Sequence, residues 1–196
     1  VCLLHDVVGT LHGSMGLFNA YCDRVPMLAL AGAGPVRRST RRPFYDWIHT
    51  AYDQGEFVRR FTKWDDTPAD VDDAAGSILR AIRIARTPPY GPTYVSLDHG
   101  IQEGRLDGPV ETPDPEAFGP PTPPAPDPDA VERAADLLAG AELPVILVGR
   151  VGNSREAVGA LVGLAETLGA AVVSAFRTGS PHRYNFPNTH PLDLEG

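Results

Sequence analysis

Sulfur and basic charge are both scarce in this chain of 196 residues, and each shortage narrows what it can do. Two cysteines, Cys2 and Cys22, cannot build a disulfide framework or a metal-ligand set. Both lie among apolar neighbours in the sequence, so the expectation is reduced core thiols in a cytoplasmic protein. Against 25 Asp and Glu there are only 17 Lys and Arg, a formal net charge of −8. Nucleic-acid binding rests on clustered cations, and this balance argues against it. The one basic run, Arg37-Arg38-Ser39-Thr40-Arg41-Arg42, is either a solvated loop, the preferred assignment, or an anion site. No apolar stretch approaches the roughly 20 residues that cross a bilayer, and no charged-then-apolar leader opens the sequence. The chain begins on the apolar run Val1-Cys2-Leu3-Leu4, a strand already under way, so an internal piece of a longer protein is expected.

Proline and glycine, by contrast, are plentiful at 20 each, and nine of the prolines fall between Gly108 and Asp129. Proline fixes φ and removes a donor, so this stretch belongs to no helix interior or central strand. It reads as a semi-rigid linker, with a Pro-rich ligand for an aromatic groove as the weaker alternative.

On either side, short apolar runs alternate with amphipathic ones. Val1 to Leu4 predicts a strand, followed by a turn at Gly9 and Thr10 and a helix to about Tyr21. Met27 to Ala31 predicts a buried strand, and Phe44 to Gln54 a short helix. Asp70 to Ala85 predicts a helix from the spacing of Val71, Ala74, Ala75, Ile78, Leu79 and Ile82, and Pro92 to Leu97 a strand. Beyond the linker come a helix over Asp129–Ala139 and a strand over Pro144–Val148. A helix capped by Ser154 and closed by Gly169, then a strand over Ala171–Ala175, complete the pattern. The fold class is α/β: two partial doubly wound parallel-sheet domains, residues 1–107 and 129–196, joined by a Pro-rich linker at 108–128. The turn Gly149 to Ser154 leads into a helix N-terminus and could cradle a phosphate, although a plain βα turn is the better assignment.

The segment from Leu4 through His5, Gly9-Thr10 and Asn19-Ala20-Tyr21 resembles the strand-turn-helix of thiamine-diphosphate-dependent enzymes of the acetolactate synthase and benzoylformate decarboxylase kind. Asp23 to Gly32, Phe61-Thr62-Lys63-Trp64 and Pro89 to Val95 are similar to later elements of that family's pyrimidine-binding domain. Ala134 to Gly149 and Phe186-Pro187-Asn188-Thr189-His190-Pro191-Leu192 are similar to its central domain. The resemblance covers nearly the whole chain. It implies an enzyme, a lyase or transferase that decarboxylates or carboligates a 2-oxo acid, with thiamine diphosphate and Mg2+ bound in the full-length protein. It also implies a homodimer or homotetramer built through the pyrimidine-binding domain.

The family's activating glutamate and its Gly-Asp-Gly…Asn diphosphate and Mg2+ motif are not in these 196 residues, so the chain alone is expected to be inactive. What the resemblance places here is a wall of the pyrimidine-side pocket. His5 matches a histidine of the benzoylformate decarboxylase motif that passes protons to the carbanion; alternatively it merely ends the strand. Gly9 and Thr10 would offer helix N-terminal donors to the cofactor, or serve as simple turn residues. His12 stands where relatives have Asn, and His5 with His12 lacks metal-ligand spacing, so no metal site is expected. Asn19 is expected to pack or hydrogen-bond rather than ligate. His49, near Trp47 and Asp53, occupies a place where acetolactate synthases carry a Gln-Glu pair, a departure that weakens a strict acetolactate synthase assignment. His182 and His190 are expected at the surface or at strand ends. FAD, which some relatives bind, has too little support in Gly149, Arg150 and the Ser174–Gly179 loop. The competing expectations are a non-catalytic binding or scaffold relative and, more weakly, a dinucleotide-binding module.

Overall fold

The structure is a computed structural model, and it describes residues 1–174 and 185–194. The chain divides into two compact units, Val1–Thr122 and Pro123–Gly196. The division falls inside the Pro-rich stretch, where a single 3-10 turn forms at Pro115–Phe118.

In the first unit four parallel strands, β1 (Cys2–Leu4), β2 (Met27–Ala33), β3 (Asp65–Asp66) and β4 (Pro92–Asp98), form a sheet in the order β1-β2-β4-β3. Strand side chains alternate between faces, and the register Ala29↔Tyr94 and Leu30↔Val95 assigns each residue to a side. One face carries Ala29, Ala31 and Tyr94, which bury Leu17 of helix α1 (Asp6–Cys22) together with Val58. The small alanines let that helix approach closely. The other face carries Leu28 and Val95, covered by Ala81 of helix α3 (Val71–Ala85) with Ile78, Ile82 and Trp64 around it. A parallel sheet with both faces covered is the expected outcome of continuous apolar strands.

Helix α3 is closed at both ends by side chains. The Asp70 carboxylate accepts from the Asp73 N–H at 3.0 Å, and Lys63 Nζ donates to the carbonyls of Ile84 and Thr87. The Thr-Lys-Trp element therefore caps one end of the helix with Lys63 and packs its flank with Trp64.

Two expectations fail here. The stretch expected to be helical over Phe44–Gln54 is helical only as α2 (Pro43–Asp46). Beyond it the His49 carbonyl accepts from the Gly34 N–H at 3.0 Å, so a tertiary bond replaces the helical ladder. The cysteines expected in the core are both exposed, because Cys2 lies on the edge strand and Cys22 on the outer side of α1. A short helix not foreseen, α4 (His99–Glu103), follows β4 directly, and the Asp98 carboxylate caps it.

The second unit contains α5 (Pro128–Ala139), β5 (Val145–Val148), α6 (Arg155–Leu168) and β6 (Ala171–Ser174), with β5 and β6 parallel and Val145 opposite Ala171. Ser154 caps α6 by accepting from the Ala157 N–H at 3.1 Å, and Gly169 ends it at φ +61°. Val148, Ala165, Val172 and Phe186 form the core of this unit.

Candidate functional site

A parallel strand that runs into a helix delivers its last residue to the carboxyl edge of the sheet, where open α/β sheets gather ligands. His5 is that residue for β1. It has extended backbone angles, φ −80° and ψ 116°, and precedes the first residue of α1, Asp6. The adjoining β2 brings the loop after Gly34 to the same edge, and with it His49.

These residues converge. The Asp6 Oδ1 atom lies 2.9 Å from His5 Nδ1 and 3.3 Å from His49 Nδ1. The His5 and His49 rings meet edge-on with centroids 5.1 Å apart. Tyr45 lies over the far side of His49 at 4.9 Å and is itself covered by the Arg42 guanidinium at 4.7 Å. His5 keeps 66% of its side chain exposed, whereas Asp6 and His49 keep only 16% and 18%. Although the three approach closely, Asp6 Oδ1 and His49 Nδ1 are buried and neither has an aligned hydrogen-bond partner.

The loop carrying His49 is fixed from two sides. A Cβ at Gly34 would come within 2.2 Å of Thr50 Oγ1 and 2.6 Å of the His49 carbonyl, so only glycine fits where the backbones touch. The basic run is consumed in the same structure. Arg41 donates to the Pro35 carbonyl, and Arg42 donates to the Asp46 carboxylate. The backbone N–H of Arg42, and then its side chain, hold the Asp46 carboxyl below the usual carboxylate range. Arg38 and Arg41 hold the Tyr52 phenol below its ordinary value.

Gly9 and Thr10 do not occupy a turn. Helix α1 starts at Asp6, and the Gly9 N–H already donates to the His5 carbonyl, so the donors left over by the helix belong to residues 6 to 8. Gly9 lets the helix start tightly on the strand, since a Cβ there would lie 3.2 Å from both His5 Cβ and the Leu4 carbonyl carbon. Thr10 is fully buried. Its hydroxyl lies 2.9 Å from the Tyr94 hydroxyl and accepts from Gln54 Nε2 at 3.1 Å. Gln54 Nε2 also lies 2.7 Å from the Tyr94 hydroxyl and 2.8 Å from the Gly32 carbonyl. Burial pushes the Tyr94 phenol above its ordinary value. This polar core locks α1, β2, β4 and the Gln54 turn together beneath His5. Thr10 thus braces the site from below.

A cleft of about 670 Å³ opens at the same sheet edge, beyond β2 and β4, lined in part by Arg37, Asp70, Asp98 and Arg105. None of His5, Gly9 or Thr10 lines it. His12 turns away, its Nδ1 on the Val8 carbonyl at 2.8 Å. In the second unit His190 sits 3.3 Å from Glu166 and edge-on to Phe186. His182 and the Ala175–Gly179 part of the loop considered for FAD lie outside the described residues.

Asp6, Gln54 and Tyr94 belong to no catalytic motif in the sequence. Nothing local marks them, because their roles come from the sheet pairing that brings positions 10, 54 and 94 together.

Residues 131–196 match the model of the thiamine pyrophosphate enzyme central domain. The chain is 33% identical over 174 residues to a sulfoacetaldehyde acetyltransferase of Rhodobacter capsulatus, covering 88% of this chain and 27% of that protein. It is 27% identical to a benzoylformate decarboxylase of Pseudomonas aeruginosa, covering 95% of this chain and 34% of that one. Among solved structures, a thiamin diphosphate-dependent enzyme from Mycobacterium smegmatis, itself described only as putative, superposes with a TM-score of 0.76 at 27% identity, covering 97% of this chain and 34% of that one. The chain spans about a third or less of the length of these relatives. The match is nonetheless continuous through both units, and the parallel α/β architecture agrees with it: the chain belongs to the family of thiamine-pyrophosphate enzymes.

Proposed function

We propose that the protein containing this chain decarboxylates or carboligates a 2-oxo acid with thiamine diphosphate, and that His5 handles the proton in that reaction. The observation that carries this is the exposed His5 imidazole at the carboxyl edge of the sheet, beside the half-buried Asp6 carboxylate. When bound, the thiazolium of the cofactor supplies an electron sink for the carbanion left after carbon dioxide departs.

The residues of this chain fit a supporting part. With Asp6 beside Nδ1, the Nε2 atom of His5 is the nitrogen left to face a reactant, where a neutral imidazole takes a proton and an imidazolium returns one. Gly9 lets α1 begin without a side chain between helix and strand, which keeps His5 at the edge. Thr10, with Gln54 and Tyr94, holds that helix in place. No Gly-Asp-Gly…Asn run occurs in these 196 residues, so on this reading the diphosphate and Mg2+ are held by other parts of a protein that assembles as a homodimer or homotetramer.

The test is turnover of a panel of 2-oxo acids by the full-length protein with thiamine diphosphate and Mg2+, followed as carbon dioxide release. His5→Ala is expected to lower kcat by about 10²- to 10⁴-fold, the usual worth of a positioned acid–base group. A stabilising thermal shift with the cofactor but no turnover of any 2-oxo acid would favour a binding or scaffold role instead.

A further inference from the structure

We infer that His5, Asp6 and His49 form a binding site for a divalent transition-metal ion of the zinc or cobalt kind, with two imidazole nitrogens and one carboxylate oxygen as ligands. The three ligand atoms lie within 4.8 Å of one another. Ligands about 2.1 Å from a common ion sit about 3.0 Å apart at right angles and about 3.4 Å apart in a tetrahedron. The two distances from Asp6 Oδ1, 2.9 Å to His5 Nδ1 and 3.3 Å to His49 Nδ1, are of that order.

A second observation points the same way. At such distances an ordinary network would show aligned hydrogen bonds, yet Asp6 Oδ1 and His49 Nδ1 are buried without one. Their lone pairs are therefore not aimed at each other. Three donors that crowd together without bonding are arranged to share a fourth body off the lines between them. A buried polar atom left unsatisfied is costly, and coordination would satisfy two of them at once.

Two nitrogens and one oxygen suit zinc, cobalt or nickel, whereas Mg2+ demands a nearly all-oxygen octahedron and keeps its waters. The ion inferred here is thus chemically distinct from the Mg2+ of the family's diphosphate motif. His5, 66% exposed, provides the way in, and three protein ligands leave at least one position for water. Tyr45 over His49 holds that ring in its orientation, as partners beyond the ligands commonly do.

The test uses the metal alone. The chelator-stripped protein, free of thiamine diphosphate, is titrated with Co2+ and followed by its visible absorption, with far-UV circular dichroism on every variant. A saturable band is expected whose affinity falls at least tenfold in both Asp6→Asn and His49→Ala and is unchanged in His99→Ala. Should either substitution unfold the protein, the unsubstituted one decides: Zn2+ must shift the Nδ1 nitrogen resonances of His5 and His49 together. Absence of a band and of those shifts, or an affinity unchanged from the unsubstituted protein in folded Asp6→Asn and His49→Ala, would overturn the inference. Neither measurement involves a 2-oxo acid or thiamine diphosphate, so each reading can fail alone; an ion on His5 Nδ1 leaves the ring proton on Nε2, so metal-bound His5 is the form that does not accept a proton.

Discussion

The hydroxyl of Tyr94 is the residue on which the buried polar core turns, because it meets both Thr10 and Gln54 while fully excluded from water. Tyr94→Phe keeps the ring and deletes only that oxygen, leaving two buried partners short of a bond. The expected loss is about 1–3 kcal/mol of unfolding free energy by urea denaturation. Thr10→Val should lose a similar amount, and the double variant should lose less than the sum, since both break one network. Additive losses would show that the three groups act separately. Asp46 makes a different kind of prediction. The Arg42 N–H holds its folded pKa below the ordinary 3.8, so its stabilisation is complete above that value and disappears as pH falls through the folded one. Asp46→Asn should therefore be less stable than the parent at neutral pH, with the gap closing in acid; a gap independent of pH would refute this. The site was only half legible in the sequence. His5 is named by the resemblance, and the strand-then-helix pattern agrees only in setting it at the end of its strand. The convergence of His49 with Asp6, and of Gln54 with Tyr94, could not be read, because it depends on which strands pair and on how the loop after Gly34 returns to the sheet.

At the scale of elements, a helix long enough to carry an apolar period was readable, whereas the five-residue α4 was not, although Asp98 caps it. Helix α6 has both ends written in it, Ser154 before the first turn and Gly169 after the last, and it forms between them. Ser154→Ala should cost about 1 kcal/mol and Ser154→Asp should retain most of it, because either oxygen can accept the Ala157 N–H. Thermal denaturation of both variants checks this, and equal losses would exclude capping as the cause. The loss belongs to the second unit, since Ala165 on that helix closes the core around Val148 and Val172. The stretch after Asp46 has no such ends. A short helix was expected there, but the carbonyl of His49 bonds across to Gly34 and the Asp46 carboxylate turns back to Arg42. Sheet order was likewise beyond reach of periodicity. Apolar runs announced strands, but the two-residue β3 at Asp65–Asp66 carries no apolar signal and exists only because β4 offers it an edge.

For the whole molecule the decisive feature is what the second unit leaves uncovered. Alternation along β5 sends Ile146 and Val148 toward α6 and Val172, while Val145 and Leu147 point the other way and stay 55% and 70% exposed. Leu143 and Leu137 add 83% and 77% exposure, and α5 has no buried residue at all. A parallel sheet is stable when both faces are covered, and here one face of β5 is open to water. Apolar surface of this kind gains about 25 cal/mol per Å² when a second surface covers it, so two copies that meet face to face bury what each leaves open. The chain prepared as these 196 residues is therefore expected to self-associate, with a mass above 21.0 kDa by light scattering and growth in apparent size as concentration rises. Replacing Leu147 and Leu143 by Lys should restore the monomer without altering the first unit, because neither residue belongs to a buried cluster. A parent chain that stays at 21.0 kDa across the concentration series would show that the open face is tolerated, and the association would then have to be sought elsewhere in the full-length protein.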